Sequence, residues 1–194
     1  MKRTITSIIL LVCIFILCGC NSKVEDNNED KSNSANKDLI SKELGIESGV
    51  YISIPSWRES SGENYLVLQN SNYFIISVIS SESNLEDLYN NEVTSILNTQ
   101  VDRGKYSKLL GMTTNEIKIN KNTSINFNGN IERDSYGTVD KFDVYGYFLN
   151  YENKSIIIMS IETNIGGNDL NTQKDKENTN KYVDDIVKSI RSTK

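Results

Sequence analysis

The stretch Tyr73-Phe74-Ile75-Ile76-Ser77-Val78-Ile79 decides the fold class, because large apolar side chains occupy both of its faces. Successive side chains of a strand point to opposite faces, so three of these large side chains lie on each face. A strand that is wet on one side alternates apolar and polar residues instead. The stretch therefore predicts a strand that is buried on both faces of a sheet.

Two later stretches, Val139–Tyr151 and Ser155–Thr163, also carry large apolar side chains on both faces. A short turn at Glu152-Asn153-Lys154 joins them, and strands joined by so short a turn pair antiparallel. Shorter strands are predicted at Gly49–Pro55, Tyr65–Gln69, Glu116–Asn120 and Ser124–Arg133. Inside the last of these, Asn128-Gly129 indicates either a tight hairpin turn or a bulge. The sequence therefore predicts a mostly antiparallel sheet that needs cover on both faces.

Two amphipathic stretches predict the helices that cover this sheet. The first begins after Ser83 or Asn84, either of which can cap a helix, and the second closes the chain. Apolar residues recur at helical spacing at Leu85, Leu88, Tyr89, Val93, Ile96 and Leu97, and again at Tyr182, Val183, Ile186, Val187 and Ile190. A short helix is predicted at Leu39–Ile46 and a polar loop at Ile165–Glu177. The predicted architecture is an α+β fold, an α/β/α sandwich with a mostly antiparallel sheet covered by helices on both faces.

The segment Gly49-Val50-Tyr51-Ile52-Ser53-Ile54-Pro55-Ser56-Trp57 resembles the opening motif of PsbP-like and Mog1-like domains. In that motif a glycine, an apolar residue, an isoleucine, a proline and a tryptophan follow in order. Here Trp57 follows Pro55 by two positions, slightly closer than is usual. The middle helix, the long strand pair and the closing helix also fit, so the resemblance covers about residues 46–192.

This resemblance implies an α/β/α sandwich used for binding or assembly rather than for catalysis. It brings no functional residue to the chain, because no functional residue of the better-known members maps onto it. The competing fold is a curved antiparallel half-barrel of the lipoprotein-carrier kind, which holds acyl chains in a cavity lined by one sheet face. The closing helix argues against that alternative.

The N-terminal leader resembles the signal peptide of a bacterial lipoprotein. Lys2 and Arg3 precede an apolar run that is shorter than the roughly 20 residues of a membrane-spanning helix. The run ends in Leu17-Cys18-Gly19-Cys20, which resembles a lipobox with Cys18 at a position usually held by a small residue. The resemblance implies a diacylglycerol on the Cys20 sulfur and cleavage just before Cys20; the alternative is an uncleaved anchor helix. Either way, the domain is expected on the extracytoplasmic face of the cell membrane.

Three segments are predicted along the chain. Residues 1–19 form the signal peptide, residues 20–38 the lipidated cysteine with a disordered tether, and residues 39–194 the folded domain. Val24 is the only large apolar side chain of the tether, so the tether cannot bury enough surface to offset the entropy of ordering.

Composition excludes several kinds of site. The 194 residues include no histidine, which excludes Ser-His-Asp and Cys-His catalysis and histidine zinc sites. Cleavage before Cys20 would leave that residue as the only cysteine, with its sulfur blocked, so no disulfide or cysteine nucleophile is expected. The formal net charge is −5 and no basic stripe is present, which argues against nucleic-acid binding. No cofactor is expected.

Carboxylates are the remaining candidates for chemistry. Asp140 with Asp143, and Asp184 with Asp185, are candidate pairs for acid–base work on an envelope polymer. Adjacent helical residues point about 100° apart, so the second pair does not converge, and solvated surface charge is the favoured interpretation. Asn164–Asp175 is rich in oxygen ligands for calcium but lacks the EF-hand glycine and glutamate, so a plain loop is favoured there.

Four aromatic residues are candidates for a binding surface, namely Trp57, Tyr65, Tyr106 and Tyr136. Trp57, shortly after Pro55, is more typical of a packing plug at the end of a sheet. Tyr136 stands beside Gly137 in a predicted turn and is the better exposed candidate. Trp57 and Tyr136 are the predicted partner surface.

The leading hypothesis is a lipid-anchored, extracytoplasmic and non-enzymatic module that binds or assembles with a protein partner. A small-ligand or lipid-binding lipoprotein is the first alternative. A carboxylate-dependent hydrolase of the cell envelope is the second, and the absence of histidine counts against it. A contiguous apolar cavity would favour the ligand carrier, whereas a closed core with an exposed patch would favour the protein-binding module.

Overall fold

The computed structural model describes residues 39–70, 72–101, 105–162 and 173–192. In this part of the chain eleven strands and two helical segments follow one another. The strands are β1 (Leu39–Glu43), β2 (Val50–Pro55), β3 (Arg58–Ser61), β4 (Tyr65–Gln69), β5 (Tyr73–Ser80), β6 (Lys105–Tyr106), β7 (Leu110–Ile119), β8 (Asn122–Ser135), β9 (Thr138–Tyr151), β10 (Lys154–Glu162) and β11 (Arg191–Ser192). Helical segment α1 covers residues 85–101, and helix α2 is Gln173–Lys188.

Eight of the strands form one antiparallel sheet. Their order is β3-β4-β5-β10-β9-β8-β6, and β7 also pairs with β8. The three remaining strands form a second, small antiparallel sheet in the order β1-β2-β11. The small sheet therefore joins strands from the two ends of the described chain.

Tight turns bound the long strand β9 at both ends. Tyr136 and Gly137 have φ of 54° and 85°, and Glu152 and Asn153 have φ of 49° and 64°. Two-residue turns with positive φ match the twist of antiparallel strands. The 14 residues of β9 place these two turns about 46 Å apart.

One face of the large sheet packs against α1 in an apolar core, here called cluster 1. Sheet residues such as Phe74, Phe127 and Ile157 meet Leu88 and Leu97 of α1 there. All five side chains are at most 2% exposed. The apolar stripe predicted for this helical segment is confirmed, because every one of its residues is buried in cluster 1.

The opposite face packs in a second apolar core, here called cluster 2. Ile75 and Ile158 of the large sheet meet Val183 and Ile186 of α2, together with Ile52 of the small sheet. The prediction that β5, β9 and β10 are buried on both faces is confirmed, since apolar side chains of each strand enter both clusters.

The predicted α/β/α sandwich with helices covering both faces is wrong. The fold is mostly antiparallel β, and its two helical segments are short relative to the curled eight-stranded sheet. Apolar residues on both faces of a strand show that each face needs cover, but they do not show what supplies it. On the cluster 2 face the small sheet shares that role with α2, and most of β7 is exposed.

Several local predictions also differ from the structure. Leu39–Glu43 is strand β1, not a helix, and pairs with β2. Segment α1 is not a uniform α-helix: α-helical turns at Leu85–Leu88 and Thr94–Ile96 alternate with π-helical turns at Tyr89–Val93 and Leu97–Val101. The end of the predicted polar loop Ile165–Glu177 is helical, because α2 includes Gln173.

Asn128-Gly129 is neither a hairpin turn nor a bulge in its own strand, since both residues pair regularly with β9. The irregularity lies in the facing strand, where the register of β7 shifts between Leu110 and Thr113. A Cβ on Gly129 would lie 3.0 Å from the Leu110 carbonyl oxygen, so the glycine permits this close approach.

The predicted signal peptide, Cys20 and the tether lie outside the described residues, as does most of Asn164–Asp175. They stay predictions. Within the described ranges, no helix combines the length and the apolar character that crossing a bilayer requires.

Candidate functional site

A small polar cleft lies where α2 packs over strands β5, β9 and β10. Sheet pairing places Tyr73 beside Glu162, and Tyr145 beside Ser160 one row further along. Helix α2 contributes the side chains that close the cleft from above. Its lining residues are Tyr73, Asp143, Val144, Tyr145, Ser160, Glu162, Lys176 and Asn180. The enclosed volume is about 10 Å³, room for about one water-sized group.

Polar contacts inside the cleft connect the sheet to the helix. The Asp143 carboxylate accepts from Lys176 Nζ at 2.5 Å and from Asn130 Nδ2 at 2.5 Å. The Ser160 hydroxyl lies 3.2 Å from Asn180 Oδ1, to which it donates. A charged pair and a neutral hydrogen bond thus connect α2 to the sheet at the cleft.

The hydroxyl of Tyr73 is buried at the cleft and has no hydrogen-bond partner among the described residues. Only 3% of the Tyr73 side chain is exposed. Burial, together with the negative charges of Glu162, Asp175 and Asp143, raises the pKa of this hydroxyl to about 12. A buried hydroxyl left without a partner costs stability, on the order of 1–3 kcal/mol.

A second polar cluster joins β9 to α2 and consists of Tyr145, Tyr147 and Asp184. The two tyrosine hydroxyls lie 2.8 Å apart, and they donate to Asp184 Oδ1 at 2.5 and 2.8 Å. Burial raises the pKa of Tyr145 to about 12 and holds the pKa of Tyr147 well above its ordinary value. For both tyrosines the hydrogen bond to Asp184 also raises the pKa. This cluster fixes the helix on the sheet.

The structure does not bring together the carboxylate pairs considered from the sequence. Asp140 and Asp143 lie three positions apart on β9, and strand geometry places them on opposite faces. Asp140 pairs with Arg133 at 2.6 Å, whereas Asp143 pairs with Lys176. Asp184 is held by the two tyrosines. Among the described residues, no three His, Cys, Asp or Glu side chains form a group that could hold a metal ion.

Of the four aromatic candidates, only Tyr136 is strongly exposed. Trp57 packs edge-to-face on Tyr182, with ring centroids 5.2 Å apart, and borders cluster 2. Tyr65 packs against cluster 1 and Tyr106 lies inside it. Tyr136 is 94% exposed. Trp57 therefore behaves as the packing plug, and Tyr136 stays as the candidate for a partner surface.

Tyr136 lies at the tip of the β8–β9 hairpin, which projects past the end of β10. Strand β10 pairs with β9 only from Val144 onward, so the preceding residues of β9 extend beyond it. Val139, close to Tyr136 at this tip, is 61% exposed. The tip is braced by the Arg133–Asp140 ion pair, and the Arg133 guanidinium lies 5.2 Å from the Phe142 ring centroid.

The opposite end of β9 carries a different surface. Ile46, 69% exposed, lines an open depression together with Asn153 and Lys154 of the β9–β10 turn. The two ends of one strand thus present two separate exposed apolar positions.

Sequence reasoning did not find the cleft or the Tyr145–Tyr147–Asp184 cluster. Tyr145 and Tyr147 are two positions apart in a predicted strand, so the sequence alone predicts that they lie on the same face of the sheet. Their meeting with Asp184, and the meeting of Tyr73 with Glu162 and Asp143, depend on strand order and on the placement of α2. Neither is encoded in local periodicity.

Comparisons with known proteins give structural likeness alone. No protein-family model matches the chain, and neither does any curated protein. Among solved structures, cyanobacterial PsbP (CyanoP) from Synechocystis is similar at 13% identity and a TM-score of 0.44, covering 86% of this chain and 98% of that one. PsbP is one of the two families that the motif ending at Trp57 resembles.

Two further solved structures are similar. A protein from Bacteroides thetaiotaomicron has 10% identity and a TM-score of 0.41, with 78% of this chain covered; the chain spans 50% of the length of that protein. A Pseudomonas aeruginosa protein of unknown function has 11% identity and a TM-score of 0.30, covering 66% of this chain and 85% of that one. At these TM-scores the likenesses assign neither a family nor a function.

Proposed function

We propose that the chain is a non-enzymatic, extracytoplasmic module that is held at the membrane by a lipid on Cys20 and binds a protein partner. The contact surface in this proposal is the tip of the β8–β9 hairpin. The observation that carries it is Tyr136, which is 94% exposed at a position where turn chemistry favours a different residue.

The backbone of Tyr136 supports this proposal. Its φ of 54° lies in the left-handed region, which glycine, asparagine and aspartate adopt more readily than an aromatic residue. The side chain gains no burial in return, since it is almost fully exposed. Backbone strain of this kind is found preferentially at functional positions. Contact with another molecule would account for a tyrosine here.

The surroundings of Tyr136 suit a protein contact. Aromatic residues are enriched in protein interfaces, and the exposed Val139 adds apolar area at the same tip. The Arg133–Asp140 pair and the hydrogen bond from Gly137 N to Asp134 Oδ1 at 3.0 Å limit the freedom of the hairpin. A preorganised tip loses little entropy on binding.

Site-specific photo-crosslinking in intact cells tests the partner surface. A photoreactive residue replaces Val139 at the tip or, as a matched control, Ile46 at the other end of β9. We expect one recurrent adduct from position 139 that Tyr136→Ser abolishes and Tyr136→Phe retains, with no such adduct from position 46. Equal adducts from both positions, or an adduct unaffected by Tyr136→Ser, would contradict the tip as the contact surface.

Membrane fractionation tests the anchor separately. Cys20→Ala removes the sulfur that carries the lipid, and two acyl chains supply most of the membrane affinity in this proposal. We expect the variant to leave the membrane fraction, while Cys18→Ala stays in it. Tight membrane association of Cys20→Ala would exclude the lipid anchor but leave the crosslinking result unaffected.

A further inference from the structure

We propose that the outer edge of strand β7 is an interface for a second copy of this chain. The two β7 strands pair antiparallel around a two-fold axis at Ile117, so that Glu116 of each copy lies opposite Lys118 of the other. This surface is separate from the hairpin tip, and the proposal does not depend on the proposed function.

Strand β7 leaves a long edge of the large sheet open. Among the described strands it pairs only with β8, which lies on one of its two sides. Seven of its ten residues are exposed, including the whole run from Gly111 to Glu116. That run exposes side chains of both strand faces, so neither face is covered there. An edge strand presents a row of backbone N–H and C=O groups that can pair with another strand.

The edge of β7 lacks the features that usually prevent pairing. Natural edge strands are often very short, interrupted by a bulge, or blocked by proline. Strand β3, at the opposite edge of the large sheet, has only four residues. In β7 the register shift lies before Thr113, and Thr113–Ile119 pair regularly with β8 and include no proline. A second strand can therefore extend the sheet along this part of β7.

The charges of β7 select the register of the pairing. Glu116 and Lys118 lie two positions apart, so they share one face of the strand, and both are exposed. Within the described ranges, neither side chain forms an ion pair. A two-fold axis between antiparallel strands passes through one pair of identical residues, because hydrogen-bonded and non-hydrogen-bonded pairs alternate. An axis at Ile117 sets opposite charges across from each other twice, whereas an axis at Glu116 or Lys118 sets like charges opposite.

Ile117 supplies an apolar contact at the axis. It is partly buried and packs against cluster 2. Directly opposite residues of antiparallel strands have Cβ atoms about 4.5–5.5 Å apart, so the two Ile117 side chains meet and extend the border of cluster 2 into the second copy. The pairing covers only Asn115–Ile119 of each copy. We therefore expect a weak dimer, with a dissociation constant on the order of 10–100 µM.

Sedimentation equilibrium of the full-length chain in density-matched detergent tests the interface. We expect the unmodified chain to change from monomer to dimer between about 10 µM and about 0.5 mM. Glu116→Lys and Lys118→Glu each set like charges opposite in a pair of identical copies, and should raise the dissociation constant about tenfold or more. The control Glu86→Lys, at an exposed position of α1, changes the net charge as Glu116→Lys does and should dimerise like the unmodified chain.

An equimolar mixture of the two charge variants, each checked for folding by circular dichroism, tests the register itself. A pair of one Glu116→Lys copy and one Lys118→Glu copy again has opposite charges across both positions. We expect the mixture to dimerise at least as tightly as the unmodified chain, although each variant alone does not. A mixture that stays monomeric overturns the proposal.

Three further results would also overturn the proposal. The first is an unmodified chain that stays monomeric at about 0.5 mM, and the second is dimerisation of each charge variant alone as in the unmodified chain. The third comes from a photoreactive residue in place of Thr114 in intact cells. If it captures a different protein and never a second copy of this chain, the edge of β7 belongs to another occupant.

Discussion

The two faces of the large sheet are buried with similar completeness but in different ways. Cluster 1 is closed by an irregular helical segment in which α-helical and π-helical turns alternate. Cluster 2 is closed by the regular helix α2 and by a second sheet. Only the cluster 2 face carries the Tyr145–Tyr147–Asp184 cluster and the cleft at Tyr73.

The two faces place different demands on the helical segments that cover them. A face closed mainly by apolar contacts depends on packing, which tolerates an irregular helix as long as the volume is filled. A face that also carries polar side chains needs fixed donor and acceptor positions, because a misplaced buried polar group is costly. The regular helix α2 supplies those positions through Asp184, Lys176 and Asn180.

Truncation of one buried side chain on each face should have the largest effect. Phe127→Ala in cluster 1 and Ile158→Ala in cluster 2 remove side chains that are 0% exposed. We expect losses in unfolding free energy of about 3–5 kcal/mol for the first and about 2–5 kcal/mol for the second, measured by urea denaturation. Ile46→Ala, at an exposed position, should cost at most about 0.5 kcal/mol. A loss near zero for Phe127→Ala alone would show that the irregular segment does not close a true core.

Removal of the Asp184 carboxylate should have an intermediate effect, confined to the cluster 2 face. Asp184→Ala leaves the hydroxyls of Tyr145 and Tyr147 without their shared acceptor. Hydrogen bonds to charged groups contribute about 1.5–3 kcal/mol, so a loss of that size is expected in the same denaturation assay. Asp185→Ala, the adjacent helical residue, is the matched control. If both variants lost the same stability, the loss would reflect helix propensity or charge rather than the tyrosine contacts.

Alkaline pH should reveal the smallest effect, absent near neutrality. The folded-state pKa values of Tyr73 and Tyr145 are about 12, above the ordinary value of 10.0. Between these values the unfolded chain releases protons that the folded chain keeps, so stability falls as pH rises from about 10 towards 12. Below about pH 10 this contribution is fully present. Denaturation at stepped pH, with tyrosinate absorbance as the second readout, should show a shallower decline for Tyr145→Phe; an identical decline would exclude Tyr145 as a source.

Much of the sheet could be predicted because the apolar pattern within each long strand indicates a strand by itself. Tyr65–Gln69 is a strand with the predicted bounds, and β5, β9 and β10 differ from their predicted bounds by at most one residue at each end. A run of apolar residues on both faces of a strand is a local property of the sequence, so it indicates a strand whichever strands pair with it. Strand β1 shows the limit: Leu39–Glu43 lacks strong alternation and is a strand because β2 pairs with it.

The candidate sites were less predictable for a related physical reason. Tyr136 is exposed because it lies in a short turn, and the sequence predicts that turn. The cleft needs Tyr73, Asp143 and Lys176 from three elements to meet, and their order along the chain does not fix their order in the sheet. The helix register that places Asp184 over two tyrosines is likewise set by packing rather than by propensity.

The small sheet has a consequence for the order in which the molecule is completed. Its strand β2 pairs with β11, so Tyr51 meets Arg191 across ~140 residues of chain. Cluster 1 draws only on residues 65–161, whereas cluster 2 draws on residues 44–190. During synthesis, which starts at the N-terminus, cluster 1 can therefore form before the residues of α2 that complete cluster 2 have been made. Until α2 is made, the cluster 2 face has only β1 and β2 of the small sheet to cover it, so the second core is completed after the first.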